Sequence, residues 1–273
     1  MKVLFLGEVV GRCGLGVLKN ALRPFKKERK VDLIIANGEG ATGGFGLGGQ
    51  SAMTMRNFGV DIITLGEKAF FKPDMVENID NLDRVLRPAN YPEAVPGRGI
   101  KYQMVGSQLV CIINTLGMGN FNSPHLNNPF NNCESLVAKA AEKTPFIFYI
   151  FHSSTTAERL AMGYALQGKV SAVIGTHSKT LTSDAQILPG GTAYITDTGR
   201  CGSSMSVGGF DPETEIKHIR TQTLIRSQEC WDKPQMQGLL CEFDDSGKAI
   251  QVETIKLDVE VPSLDQKDSK EQD

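Results

Sequence analysis

Short, strongly apolar runs that stop at small or polar residues recur along the chain. Residues 3–6 lead into Gly7-Glu8, 33–36 into Asn37-Gly38-Glu39, 62–65 into Gly66-Glu67, and 109–113 into Asn114. Residues 146–151 lead into His152, 170–174 into Gly175-Thr176-His177, and 193–195 into Thr196-Asp197. Runs this short and this continuous predict strands buried on both faces, each with its polar residue just past the C-terminal end. Between many of them the apolar positions change to helical spacing, over 15–30, 50–58, 133–143 and 155–166. Strands alternating with helices predict β-α-β units and a parallel or mixed sheet. Residues 221–259 alternate instead. The turn Asp244-Asp245-Ser246-Gly247 between 239–243 and 249–255 predicts an antiparallel hairpin. The expected organisation is one domain over 1–261 and a charged, disordered tail over 262–273.

Composition narrows the function classes. With 273 residues and 40% hydrophobic content, the chain can bury a sizeable core. A net charge of -2 argues against bulk electrostatic binding of nucleic acid, so any nucleotide contact must be local, in a pocket. The six cysteines (Cys13, Cys111, Cys133, Cys201, Cys230 and Cys241) form no CxxC pair and are expected to be reduced, buried thiols. The N-terminal apolar run is too short for a signal peptide, and nothing approaches the ~20 apolar residues of a membrane helix. No membrane partner and a cytoplasmic location are the expectation, and a homo-oligomer is compatible with the sequence.

Open α/β sheets bind ligands beyond the carboxyl ends of their strands. Glu8, Glu39, Glu67, His152 and His177 are all expected there. A carboxylate after a strand is usually a turn residue, and a lone histidine is usually structural. Five such residues at five strand ends instead suggest a divalent-metal centre, with oxygen and imidazole ligands suited to Mn, Fe or Zn. The glycine-rich stretch Gly43-Gly44-Phe45-Gly46-Leu47-Gly48-Gly49 precedes a helix and is read as a loop near that site, since it lacks the Gly-Lys-Ser/Thr of a phosphate-binding loop. Arg98 and Arg200 are candidate phosphate clamps in loops. His125 and His218 have no partner pattern and are read as non-ligands. Ser153-Ser154 lacks the context of a serine nucleophile.

Longer motifs carry a resemblance. Residues 2–11 (Lys-Val-Leu-Phe-Leu-Gly-Glu-Val-Val-Gly), 36–46 (Ala-Asn-Gly-Glu-Gly-Ala-Thr-Gly-Gly-Phe-Gly) and Leu86-Arg87-Pro88-Ala89-Asn90-Tyr91-Pro92 are three of them. Val95-Pro96-Gly97-Arg98-Gly99, Gly175-Thr176-His177 and residues 187–197 complete the set. In these, and over nearly the whole chain to about residue 255, the sequence resembles the YmdB-type family of calcineurin-like metallophosphoesterases. The resemblance implies an α/β sandwich of mixed β-sheets flanked by helices. It implies cleavage of phosphodiesters, 2′,3′-cyclic nucleotides included, by a two-metal centre with a histidine protonating the leaving oxygen.

The carry-over by residue is uneven. The family holds its first metal with an Asp, a bridging Glu, an Asn and the second His of Gly-Thr-His-x-His; those positions are Glu8, Glu39, Gly40 and Lys179 here. The second metal is held by the bridging Glu, an Asn and two His; here these are Glu39, Glu67, His152 and His177. The catalytic histidine is replaced by Lys68. An ammonium offers donors and no lone pair, so Lys179 can pair with carboxylates but cannot ligate while charged. Lys68 is expected to pair with Glu67 or Glu39. Three carboxylates against two ammonium groups leave the pocket at -1, and one divalent ion brings it to +1, enough to attract a phosphate. The expectation is a degenerate centre holding one ion at most, a phosphodiester or nucleotide as ligand, and weak or absent phosphodiesterase activity. The alternatives are an active one-metal phosphodiesterase using Lys68, and a non-catalytic scaffold.

Overall fold

The apolar runs form strands because each is covered on both sides. In β1 (Lys2–Val9), Val3 and Phe5 face one core with Phe148 and Ile150, while Leu4 and Leu6 face another with Val17, Leu18 and Leu22. The structure, a computed structural model, describes residues 1–121, 124 and 126–262. After β1 come α1 (Gly11–Arg29), β2 (Leu33–Asn37), α2 (Gly49–Phe58), β3 (Ile62–Thr64), α3 (Pro73–Asn78) and β4 (Val85–Leu86). Then follow β5 (Ile100–Val105), β6 (Gln108–Leu116), α4 (Pro129–Ala141), β7 (Phe146–His152), α5 (Thr156–Leu166) and β8 (Ala172–Thr176). The chain continues through β9 (Gln186–Leu188), β10 (Thr192–Ile195), β11 (Arg200–Ser203), α6 (Pro212–Thr221) and the hairpin β12 (Pro234–Phe243) and β13 (Ala249–Asp258).

Two mixed sheets pack face to face. One runs β13-β12-β11-β1-β2-β3-β4, the other β5-β6-β7-β8-β10-β9. Phe5, Ile35, Phe148, Ile174 and Leu239 lie between them. The outer face of the first sheet packs on α1, α2 and α3 through residues such as Leu18, Met55 and Met75. That of the second packs on α4 and α5 through Val137, Met162 and Tyr149. This is the sandwich of mixed sheets flanked by helices that the resemblance implies.

Several expected boundaries shift for identifiable reasons. Glu8 is inside β1 rather than past its end, because Glu8 and Val9 pair in parallel with Arg200 and Cys201 of β11. Asn114 is likewise inside β6. Its side-chain amide donates to the carbonyls of Leu65 at 2.7 Å and Leu86 at 3.0 Å, tying the first sheet to the second. Strands β4, β5, β9 and β11 and helices α3 and α6 carry none of the long apolar runs that mark the other strands. All six cysteines are free and buried. Among the described residues no helix is long and apolar enough to cross a membrane. His125 and residues 263–273 of the expected tail lie outside the described residues.

Candidate metal centre

The site begins with backbone irregularity. Between Leu6 and Glu8, β1 shifts register against β2, so Gly7 forms a bulge that re-aims the Glu8 side chain. A side chain at position 7 would meet the Gly199 carbonyl at 2.3 Å, which restricts that position to glycine. At the end of β2, Asn37 Oδ1 accepts from the Glu39 amide at 2.9 Å, a local turn that places Glu39. Glu39 Oε1 in turn accepts from the amides of Gly66 at 2.9 Å and Lys68 at 2.5 Å. The loop after β3 is thus fastened to the loop after β2.

His152, the last residue of β7, is the hub. Its Nε2 lies 2.7 Å from Glu67 Oε2, 2.8 Å from Glu39 Oε2 and 3.1 Å from His177 Nδ1. Its Nδ1 lies 3.0 Å from Thr176 Oγ1, which orients the ring. One ring nitrogen carries at most one proton, yet three potential ligand atoms converge on it. Ligating atoms of Glu67, His152 and His177 all lie within 4.8 Å of one another. Glu39 Oε2 is buried and has no aligned hydrogen bond despite its closeness to the ring. One carboxylate and two imidazoles so grouped, with Glu39 Oε2 beside them, suit a divalent ion.

His177 is held in an unusual backbone conformation, φ 124°, a region a residue with a side chain rarely adopts. The loop that carries it is clamped by Asp197, whose Oδ2 accepts from the Ser178 amide at 2.7 Å and from Arg159 Nη1 at 2.6 Å. Phe121 closes one side, its ring centroid 5.3 Å from that of His177 and 6.3 Å from that of His152.

Glu8 stands apart from this group. Lys179 Nζ is 3.1 Å from Glu8 Oε1, an ion pair without hydrogen-bond alignment, so both Glu8 oxygens stay buried and otherwise unpartnered. The ammonium also lies 5.3 Å from the Phe210 ring centroid, and Phe45 stacks on Phe210 at 5.4 Å. Gly40 lies directly against the carboxylate: a Cβ at position 40 would be 2.4 Å from Glu8 Oε1. The longer Glu8 side chain therefore occupies space that any side chain at position 40 would need. Lys68 Nζ pairs with Glu67 Oε1 at 2.5 Å.

Burial alone would raise the Glu67 carboxyl. The charge of His152 outweighs it, helped by hydrogen bonds from both imidazoles and by Lys68, and holds Glu67 far below the usual carboxylate range. Burial alone would lower Lys68, but Glu39, Glu67 and Glu8 push it above the ordinary lysine value, so it stays an ammonium. Burial likewise disfavours charge on His152, yet Glu39 and Glu67 raise it to about 10 from 6.5. The sign of the consequence is definite. A raised folded-state value gives stability that is complete below 6.5 and lost as pH rises through about 10. In chelator, the melting temperature should fall between these limits, by the equivalent of a few kcal/mol (each pKa unit corresponds to about 1.4 kcal/mol). A flat melting profile over that range would contradict the placement of His152 between two carboxylates.

Of the residues expected at the site, Glu39, Glu67, His152 and His177 come together, Lys68 lies on their rim, and Glu8, Gly40 and Lys179 form an adjoining cluster. Arg200 differs from expectation. It belongs to β11 rather than to a loop, and its guanidinium is spent on the carbonyls of Lys179, Ser203 and Ser204 because it is buried beneath them. Arg98 is exposed, paired through its backbone beside Leu86. Sequence reasoning passed over Asn37, Thr176 and Asp197 as site residues, although they sit at the strand ends that signalled the ligands. Arg159 gave no signal, because a charged residue on a helix ordinarily faces water.

Comparison with known proteins bears out the fold. The sequence profile of a family described as YmdB-like protein matches residues 4–255. A Bacillus subtilis 2′,3′-cyclic-nucleotide 2′-phosphodiesterase is 38% identical over 258 residues, covering 94% of this chain and 97% of that protein. The crystal structure of a hypothetical protein from Thermus thermophilus superposes with a TM-score of 0.88 at 31% identity, covering 95% of this chain and 100% of that one. That of a novel phosphatase from Mycoplasma pneumoniae gives 0.88 at 30% identity, covering 100% and 97%.

Proposed function

Because the chain belongs to the YmdB-like protein family, we propose that it is a phosphoesterase-fold protein with one working metal position, a nucleotide or phosphodiester as ligand, and little or no phosphodiesterase activity. The ion would be held by Glu39, Glu67, His152 and His177. In place of a second ion stands the Glu8–Lys179 pair. The observation that carries this reading is the contact at Gly40, where a Cβ would lie 2.4 Å from Glu8 Oε1. A longer acid and a missing side chain fill one volume together, and the lysine charge balances the acid that a cation would otherwise balance.

A divalent ion bound at the four donors would supply positive charge against phosphate oxygens. The chain's own groups do the rest. Thr176 orients His152 from its other ring nitrogen, and Asp197 fixes the loop of His177. Lys68 presents a permanent positive charge at the rim. It is a poor proton donor, since a general acid works best with a pKa near the operating pH, whereas Glu39, Glu67 and Glu8 hold its proton tightly. Phosphate attraction survives in this arrangement, but the proton for the leaving oxygen does not.

The test is direct. Protein loaded with Mn or Zn should carry one ion per chain by elemental analysis, and a chromogenic phosphodiester should turn over near background. Two ions per chain, or robust turnover lost in His177→Ala, would overturn the proposal. In the second case the active one-metal alternative, favoured by the intact four-donor set, would take its place.

A further inference from the structure

A cavity of about 660 Å³ lies outside the metal centre, lined in part by Arg12, Gly43, Lys72, Arg226, Glu229 and Trp231. Its volume is in the range of small-molecule sites. None of the metal-centre residues lines it, but its Ala41–Gly43 wall continues the loop that carries Glu39 and Gly40.

The charges in this cavity are unequal in their commitments. The one acid, Glu229, is already used: its Oε2 accepts the Arg12 amide at 2.8 Å in the first turn of α1, where the helix dipole favours negative charge. A side chain at Gly11 would strike that carboxylate at 2.3 Å, so the acid is packed onto the helix end. Among the described residues, no salt bridge involves Arg12, Lys72 or Arg226. Three uncommitted cations thus surround a space whose carboxylate faces a helix end. Trp231 also lines the cavity and is half-buried. Clustered cations beside an accessible aromatic suit a phosphate joined to a flat base, with guanidinium groups on the phosphate and the indole against the base.

We infer that this cavity is a nucleotide-binding subsite separate from the metal centre, taking phosphate on Arg12, Lys72 and Arg226 and a nucleobase on Trp231. The nucleotide class leans on the phosphoesterase reading above; the anion preference rests on the cavity's own charges.

Trp231 is the only tryptophan of the chain, so its fluorescence reports on this cavity. Full-length protein held in chelator is titrated with adenosine 5′-monophosphate, adenosine and inorganic phosphate, each separately. The nucleotide should quench saturably and more weakly as salt is raised. Adenosine and phosphate alone should each bind at least about tenfold more weakly, since each satisfies half of the site. The double variant Arg12→Gln/Arg226→Gln changes two exposed side chains and should leave the fold intact, checked by its melting temperature. It should weaken nucleotide binding at least about tenfold. No saturable quenching into the millimolar range, phosphate binding as tightly as the nucleotide, or a double variant that binds unchanged would each overturn the inference. Chelated protein has no working metal centre, so these outcomes are independent of the metal count and turnover measured above.

Discussion

Replacing Glu8 by Asp, Gly40 by Asn and Lys179 by His together is expected to raise the bound metal from one ion per chain to two. Gly40 and Lys179 both touch Glu8, so their effects should be strongly non-additive. Gly40→Asn alone puts a Cβ 2.4 Å from the Glu8 carboxylate and should destabilise the fold by about 1–3 kcal/mol without adding an ion. Lys179→His alone removes the cation beside Glu8 and leaves a buried carboxylate unbalanced, again a cost of about 3 kcal/mol. Shortening Glu8 by one methylene withdraws its oxygens from the space over Gly40. The Asn then fits, and a His at 179 supplies a lone pair where an ammonium had none. Adding Lys68→His should supply a donor that gives up its proton more readily than a lysine and raise phosphodiester turnover by about 10²-fold over the triple variant. Elemental analysis and a turnover assay read both effects. If the triple variant folds and still takes one ion, the Glu8–Lys179 pair is not what occupies the second metal's place.

Gly66→Ala should be the most damaging single methyl group in the site. A Cβ there would lie 2.2 Å from His152 Cδ2 and 2.4 Å from its Nε2, far inside van der Waals contact. The ring cannot retreat: it is 1% exposed and held by Thr176 on its other nitrogen. The Gly66 amide also donates to Glu39 Oε1 at 2.9 Å, so moving the loop would release Glu39 as well. We expect loss of metal affinity by at least about 100-fold, because both a ligand and its support are displaced, and destabilisation of about 2–4 kcal/mol. Gly43→Ala is the control. Its φ is 63°, but nothing lies within 4 Å of an added Cβ, so its cost should stay near 1 kcal/mol with metal uptake unchanged. Calorimetric titration with Mn and thermal melts of both variants decide it. Normal metal affinity in Gly66→Ala would mean that His152 is not the hub.

The layered fold was legible because two-sided burial leaves a mark in the sequence. Phe146–His152 is apolar up to its last residue since each face meets a different core. The hairpin of Pro234–Phe243 and Ala249–Asp258 was legible from its turn. Arg200–Ser203 was not, because it is short and polar and exists only by pairing with β1 and β12. The helix Pro212–Thr221 buries no residue, so its apolar periodicity answers to nothing in the chain's interior.

The sequence by itself determined which chemistry is available: the donors at the strand ends, and the lysines and glycine that depart from the resembled family's pattern. Those are matters of residue type and order, and apolar spacing places them at one end of a sheet. Only the tertiary structure decided the partnerships. That Lys179 chooses Glu8 while Lys68 chooses Glu67, that Glu8 fills the space beside Gly40, and that Arg200 spends itself on carbonyls all depend on distances between separate strands and loops. Such distances follow from a bulge at Gly7, a strained turn at His177 and the packing of two sheets, which no local pattern encodes.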